Sequence, residues 1–217
     1  GDVARRILRA IPEPVGAAYD QISLHDERRY DVPVTIIACE FPSAALVEWI
    51  AAQPWCDGQV GMWGVSYPGV TALATAATQP PHLRAIVPIH ASSDLWRGVA
   101  GLGGTRAGFW MRADWGPRMA AYNLTPPLLQ DPHGRWARIW AEHLQGNPPW
   151  LTAFVDHPGF DDFWRARVAD VARIECPTFL ICGWRDLYAD CTPRDWAAIK
   201  APKKLLMGPW KHEFPDK

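Results

Sequence analysis

The chain has 217 residues and a formal charge of −1, with no long run of Lys or Arg. That balance excludes the electrostatic footprint of a nucleic-acid or membrane-surface binder, and no apolar stretch nears the roughly 20 residues of a membrane span. Hydrophobic residues make up 48 % and charged residues 21 %, which argues for one globular domain rather than disorder. Cys39, Cys56, Cys176, Cys182 and Cys191 are odd in number and lack metal-ligand spacing, so they read as free thiols of a cytoplasmic protein. No apolar h-region follows the Arg-bearing start, and Gly1 in place of methionine reads as a fragment or a processed product.

Residues 2–11 set Val3, Ile7, Leu8 and Ile11 at helical spacing against Arg5, Arg6 and Arg9, and Pro12 and Pro14 end the run. Residues 32–39 are β-branched and predict a buried strand, with Pro33 near its start, where a missing N–H matters least. Ser43 can cap a helix carrying Leu46, Val47, Trp49 and Ile50 that stops before Pro54. A turn at residues 56–58 leads into an apolar, strand-like run at 59–65. An alanine-rich helix follows and ends near Gln79, because Pro80 and Pro81 cannot continue it. Residues 83–90 are again strand-like. From Asp94 to about Val168 Trp, Arg, Gly and Pro dominate and helical pieces outnumber strands, with Trp136, Ile139, Trp140 and His143 on one helix face. A strand at 176–183, a helix at 193–200 and a strand at 204–208 complete the alternation. The pattern is an α/β domain with a helical cap inserted.

The stretch GMWGVSYPG, residues 61–69, places Ser66 at a strand-to-helix junction between Gly64 and Gly69. This is the pattern of a nucleophile elbow, whose sharp turn needs glycines where the backbones approach. Two later strand ends carry Asp186 and His212, at the edge where open α/β sheets hold ligands. The order Ser, Asp, His is that of α/β-hydrolases. A neutral serine hydroxyl is a poor nucleophile, so His212 is expected to take its proton and Asp186 to orient the imidazole. The backbone N–H of Tyr67, next after the nucleophile, is the expected oxyanion donor. Asp190 and Asp94 are rival acids. His25, His82, His90, His133, His143 and His157 lack a strand-end context and read as structural or exposed. No histidine or carboxylate spacing suits a metal, and the chemistry asks for no cofactor.

Five stretches carry a resemblance: EWIAAQPWCDG (48–58), VGMWGVSYPG (60–69), HPGFDDFW (157–164), GWRD (183–186) and GPWKH (208–212). With this order and spacing the chain resembles the cocaine esterase and X-Pro dipeptidyl-peptidase family of serine hydrolases. The resemblance implies an α/β-hydrolase core with an incomplete, mostly parallel sheet, formed by residues 41–93 and 170–217. It implies a helical cap over 94–169, with the residues 1–40 unmatched. It assigns Ser66, Asp186 and His212 the nucleophile, acid and base roles, and it implies a small-molecule ester or peptide substrate. The family's upstream strands, with a tyrosine that completes the oxyanion hole, find no counterpart here, nor does its jelly-roll domain after the catalytic histidine. The match therefore implies the core of a longer enzyme, active as an esterase or as a dipeptidyl-peptidase, or a truncated and inactive core. Without upstream strands the elbow strand would expose an edge, which the 32–39 strand is expected to cover. Trp96 and Trp164, among the tryptophans in or beside the cap, are candidates for the substrate pocket, against the plainer reading that they pack the cap.

Overall fold

The computed structural model of the chain describes residues 35–36, 43–101, 113–126, 136–146 and 150–213. The expected helix over residues 2–11, most of the 32–39 strand, and His25, His133 and Cys39 lie outside the described residues.

Five parallel strands form one sheet in the order β1-β2-β3-β4-β5, with β1 at Thr35–Ile36, β2 at Val60–Val65, β3 at Leu83–Ile89, β4 at Thr178–Gly183 and β5 at Lys203–Gly208. Strand β1 pairs Thr35 with Gly61 and Ile36 with Met62, so β2 has a neighbour on both sides, as the edge argument required. Helix α1 (Ser43–Ala51) precedes β2, α2 (Tyr67–Ala77) follows it, and a later helix (Cys191–Ala198) joins β4 to β5. That last helix starts two residues before the expected position.

Alternation along the strands decides which side chains meet these helices. Val60 and Met62 of β2, Ile86 of β3 and Leu180 of β4 belong to one core with Val47 and Ile50 of α1 and Ala72, Leu73 and Ala76 of α2. The alanines of α2 let it lie close on the sheet, and Leu73 fills the gap.

Between β3 and β4 most of the described residues are helical. A π-helical turn at Trp96–Ala100 is followed by α3 (Trp115–Asn123), α4 (Trp136–Gly146), α5 (Ala153–Asp156) and α6 (Asp162–Arg165). An antiparallel bridge between Asp94 and Val168, with the Ala169 N–H donating to the Ser93 carbonyl at 2.9 Å, closes this excursion at its base. The Cys191–Ala198 helix is α7.

Leu180 is wholly buried in the middle of β4. Leu180→Ala is expected to destabilise the chain by about 2–5 kcal/mol, the usual range for a core leucine truncation, read from a shifted urea midpoint at unchanged slope.

Candidate functional site

The site lies at the edge where all five parallel strands end. Ser66 leaves β2 with φ 66° and ψ −128° and stands at the N-cap of α2. Such a φ is rarely adopted by a residue with a Cβ. The surrounding packing enforces it. A Cβ on Gly64 would lie 2.6 Å from the Pro68 carbonyl carbon, and one on Gly69 would lie 2.7 Å from Ala91 Cβ. The Ser66 N–H donates to the Ile89 carbonyl at 2.9 Å, which ties the turn to the end of β3.

Asp186 lies three residues beyond β4 and His212 four beyond β5. Their loops are joined: the Trp184 N–H donates to the Gly208 carbonyl at 2.7 Å and the Arg185 N–H to the Trp210 carbonyl at 3.1 Å. His212 Nδ1 lies 2.6 Å from Asp186 Oδ2, and the Tyr188 N–H donates to Asp186 Oδ1 at 2.7 Å. The Asp186 side chain is fully buried, whereas that of His212 is 34 % exposed. A buried carboxylate with both oxygens engaged is held in one orientation, and a half-open imidazole can meet a ligand from solvent.

Tyr188 is a further member that sequence reasoning missed. Its ring is buried in a small cluster with Cys182 and Val99. Burial and the Asp186 charge push the phenol above its usual range, while hydrogen bonding with the Ser66 hydroxyl pulls the other way. It therefore stays a neutral phenol beside Ser66. Among the described residues no hydrogen bond joins Ser66 to His212 in this conformation. Such bonds are often long in the absence of substrate and tighten when it binds.

His90 is the second member missed, and its reading as a histidine without strand-end context is corrected. It directly follows β3, is wholly buried, and has φ 48°. The signal was present, since the strand-like run ends on it. His90, Asp186 and His212 bring ligand-type atoms within 4.8 Å of one another. The His90 nitrogens contact the Gly183 N–H and the Glu213 carbonyl, and Asp186 Oδ2 contacts His212, so the group is already a hydrogen-bonded network.

The other expectations fall as follows. Tyr67 opens α2, so its N–H sits at the positive end of the helix dipole. Trp96 and Trp164 are buried and pack together, ring centroids 5.6 Å apart, with Phe154 against Trp164 at 5.4 Å. Asp94 accepts from the Arg97 N–H at 3.0 Å, and Asp190 is exposed at the start of α7. His82 pairs with Glu48, and His157 with Asp161, each at 2.6 Å. His143 contacts the Asn123 carbonyl at 3.0 Å. Burial pushes the Cys182 thiol up to about 11, so it stays protonated.

A family model described as X-Pro dipeptidyl-peptidase (S15 family) matches residues 43–213. The chain belongs to that family. It is 32 % identical over 191 residues to cocaine esterase from Rhodococcus sp. (strain MB1 Bresler), a match covering 76 % of this chain and 33 % of the esterase. A CocE/NonD family hydrolase from Staphylococcus aureus has a solved structure with TM-score 0.58 at 27 % identity, over 78 % of this chain and 28 % of that one. An aminopeptidase from the marine sediment archaeon Thaumarchaeota archaeon shares the fold, with TM-score 0.53 at 19 % identity over 78 % and 31 % of the two chains. The chain thus spans about a third of the length of these relatives. Among the described residues no helix is long and apolar enough to cross a membrane.

Behind the site, Asp195 of α7 is buried and accepts from the Ser93 N–H at 2.7 Å and the Ser93 hydroxyl at 2.5 Å. Burial outweighs these bonds and pushes its carboxyl up to about 6 from the ordinary 3.8. Between those values the folded chain binds more protons than the unfolded one, so this group makes stability fall as pH rises from about 4 to about 6. Asp195→Asn should remove that component, seen as a flatter dependence of the urea-unfolding free energy on pH across this window.

Proposed function

We propose that this chain is a serine hydrolase acting on an ester or amide bond through an acyl-enzyme intermediate. The observation that carries the reading is the 2.6 Å contact between His212 Nδ1 and buried Asp186 at the sheet edge that also holds Ser66 in its strained turn. With Nδ1 turned to Asp186, Nε2 is the nitrogen left to serve Ser66. In the proposed reaction Ser66 Oγ attacks the carbonyl carbon and its proton passes to His212 Nε2. The same proton then goes to the departing alkoxide or amine as the acyl bond breaks. Water repeats the cycle and frees the acid and Ser66. Asp186 stabilises the imidazolium without taking its proton. The Tyr67 N–H donates to the oxyanion, a contribution of about 3–4 kcal/mol to the transition state. The proposed layout puts this chemistry in a core of residues 41–93 and 170–217, under a cap of residues 94–169. The buried Trp96–Trp164 pair forms a wall of the substrate pocket.

A second reading, release of X-Pro dipeptides, is favoured by the description of the matching family.

A fluorophosphonate probe should label Ser66, and Ser66→Ala should abolish labelling without loss of a cooperative melt. Asp186→Asn keeps an acceptor for the Tyr188 N–H but loses the charge facing His212. It is expected to slow labelling by about 10⁴-fold. Faster turnover of an X-Pro chromogenic dipeptide than of an aryl ester would favour the dipeptidyl-peptidase. An unlabelled but cooperatively folded chain would favour the inactive core.

A further inference from the structure

We infer that His90 is a positioning residue for the base: a buried imidazole that fastens the His212 loop to the strand end carrying Asp186. This rests on the reading of His212 as the base of a serine hydrolase.

The starting point is a residue in the wrong place for a core. Burying an imidazole costs more than burying a leucine or methionine of similar volume, unless both ring nitrogens find partners. The His90 ring is wholly buried, and both nitrogens do find partners. The Gly183 N–H donates to Nδ1 at 3.3 Å, which leaves the proton on Nε2, and Nε2–H donates to the Glu213 carbonyl at 2.7 Å. Gly183 ends β4, three residues before Asp186; Glu213 directly follows His212. One ring therefore bridges the two loops that supply the acid and the base.

What else holds the His212 loop decides how much this bridge matters. The loop is tied to its neighbour as far as Trp210, whose carbonyl accepts from the Arg185 N–H. Beyond it Lys211, His212 and Glu213 are exposed, and the Glu213 N–H bonds only locally, to the Lys211 carbonyl at 2.9 Å. Among the described residues, the hydrogen bonds from 211–213 to distant parts of the chain are two: His212 to Asp186, and the Glu213 carbonyl to His90. The first is the pair that the base must keep while it gains and loses a proton. Among the described residues, the second is the other long-range hydrogen bond of this segment, and it lies one residue from the base.

The tautomer protects the catalytic pair from competition. His90 Nδ1 lies 3.4 Å from Asp186 Oδ2. Because Nδ1 already accepts from Gly183, it has no proton to offer, and Oδ2 keeps His212 as its donor. The positive φ at His90 aims the ring into this position from the end of β3, and the His90 N–H donates to the Ile181 carbonyl at 2.8 Å, which locks the backbone there.

Two substitutions separate reach from volume. In His90→Gln the side-chain amide extends to the Nε2 position and still donates to the Glu213 carbonyl. In His90→Asn the amide stops near the Nδ1 position; asparagine also tolerates positive φ, so the fold is kept while the bridge is cut. His90→Asn is expected to lower kcat for an aryl ester about 100-fold, the order of loss that follows misplacement of a reacting group, with KM within about twofold. It should also lose the strongly downfield proton resonance of the His212 Nδ1–H. His90→Gln should keep most of kcat and the resonance. Wild-type kcat and resonance in the Asn variant, or equal loss in both variants, would overturn the inference. If neither variant folds, the unmodified chain decides: the His90 ring N–H must exchange with solvent far more slowly than that of half-exposed His82, and equal exchange rejects the bridge. Failure of Ser66 to label in the unmodified chain would defeat the hydrolase reading alone, since the resonance still reports whether His90 sets His212.

Discussion

At Ser66 the backbone passes from strand to helix within one residue, at φ 66°, and the close approach that this requires leaves no room for a side chain at Gly64 or Gly69. The strain is sustained because β2 is held between β1 and β3 and because the Ser66 N–H is bonded to the end of β3. A single isolated strand and helix would relax out of this geometry. Packed into a sheet, they cannot. The rest of the site depends on the same constraint, since the five described strands all run parallel and end at the edge where Ser66 stands. Four strand ends bring Ser66 and His90 together with Asp186 and His212 from opposite sides of the helical excursion.

Burial then grades these groups. Asp186 is fully enclosed and hydrogen-bonded on both oxygens, His90 is enclosed and bonded on both nitrogens, and His212 is a third exposed. A polar layer that is satisfied throughout is stiff, and it presents one open member toward solvent. Tyr188 completes the layer on the side of Ser66. Its backbone N–H holds the carboxylate while its phenol lies beside the serine hydroxyl. The same two-residue step past Asp186 thus serves both ends of the site.

Much of this was legible in the chain itself. The apolar run before Ser66, the alanines after it and the flanking glycines read as strand, sharp turn and helix, because close helix-on-sheet packing needs small residues. Asp186 and His212 were singled out because each follows a strand-like run by a few residues, and the structure sets them 2.6 Å apart. His90 and Tyr188 were not singled out. His90 was read as structural or exposed, because its partners, Gly183 and Glu213, lie 93 and 123 positions away. Tyr188 carried no motif, and only its place in the Asp186 loop brings its phenol to Ser66.

Local pattern determines local structure: strand, turn, helix and the residue types able to do acid, base and nucleophile chemistry. It also determined the family, whose model matches residues 43–213. The tertiary structure decided which of several acids faces the imidazole, setting Asp186 there and leaving Asp94 beside Arg97 and Asp190 in solvent. It also decided that one histidine stands open while another is sealed between two loops. The physical reason is that burial and hydrogen-bond partnership belong to neighbours in space, and strand order alone brings those neighbours together.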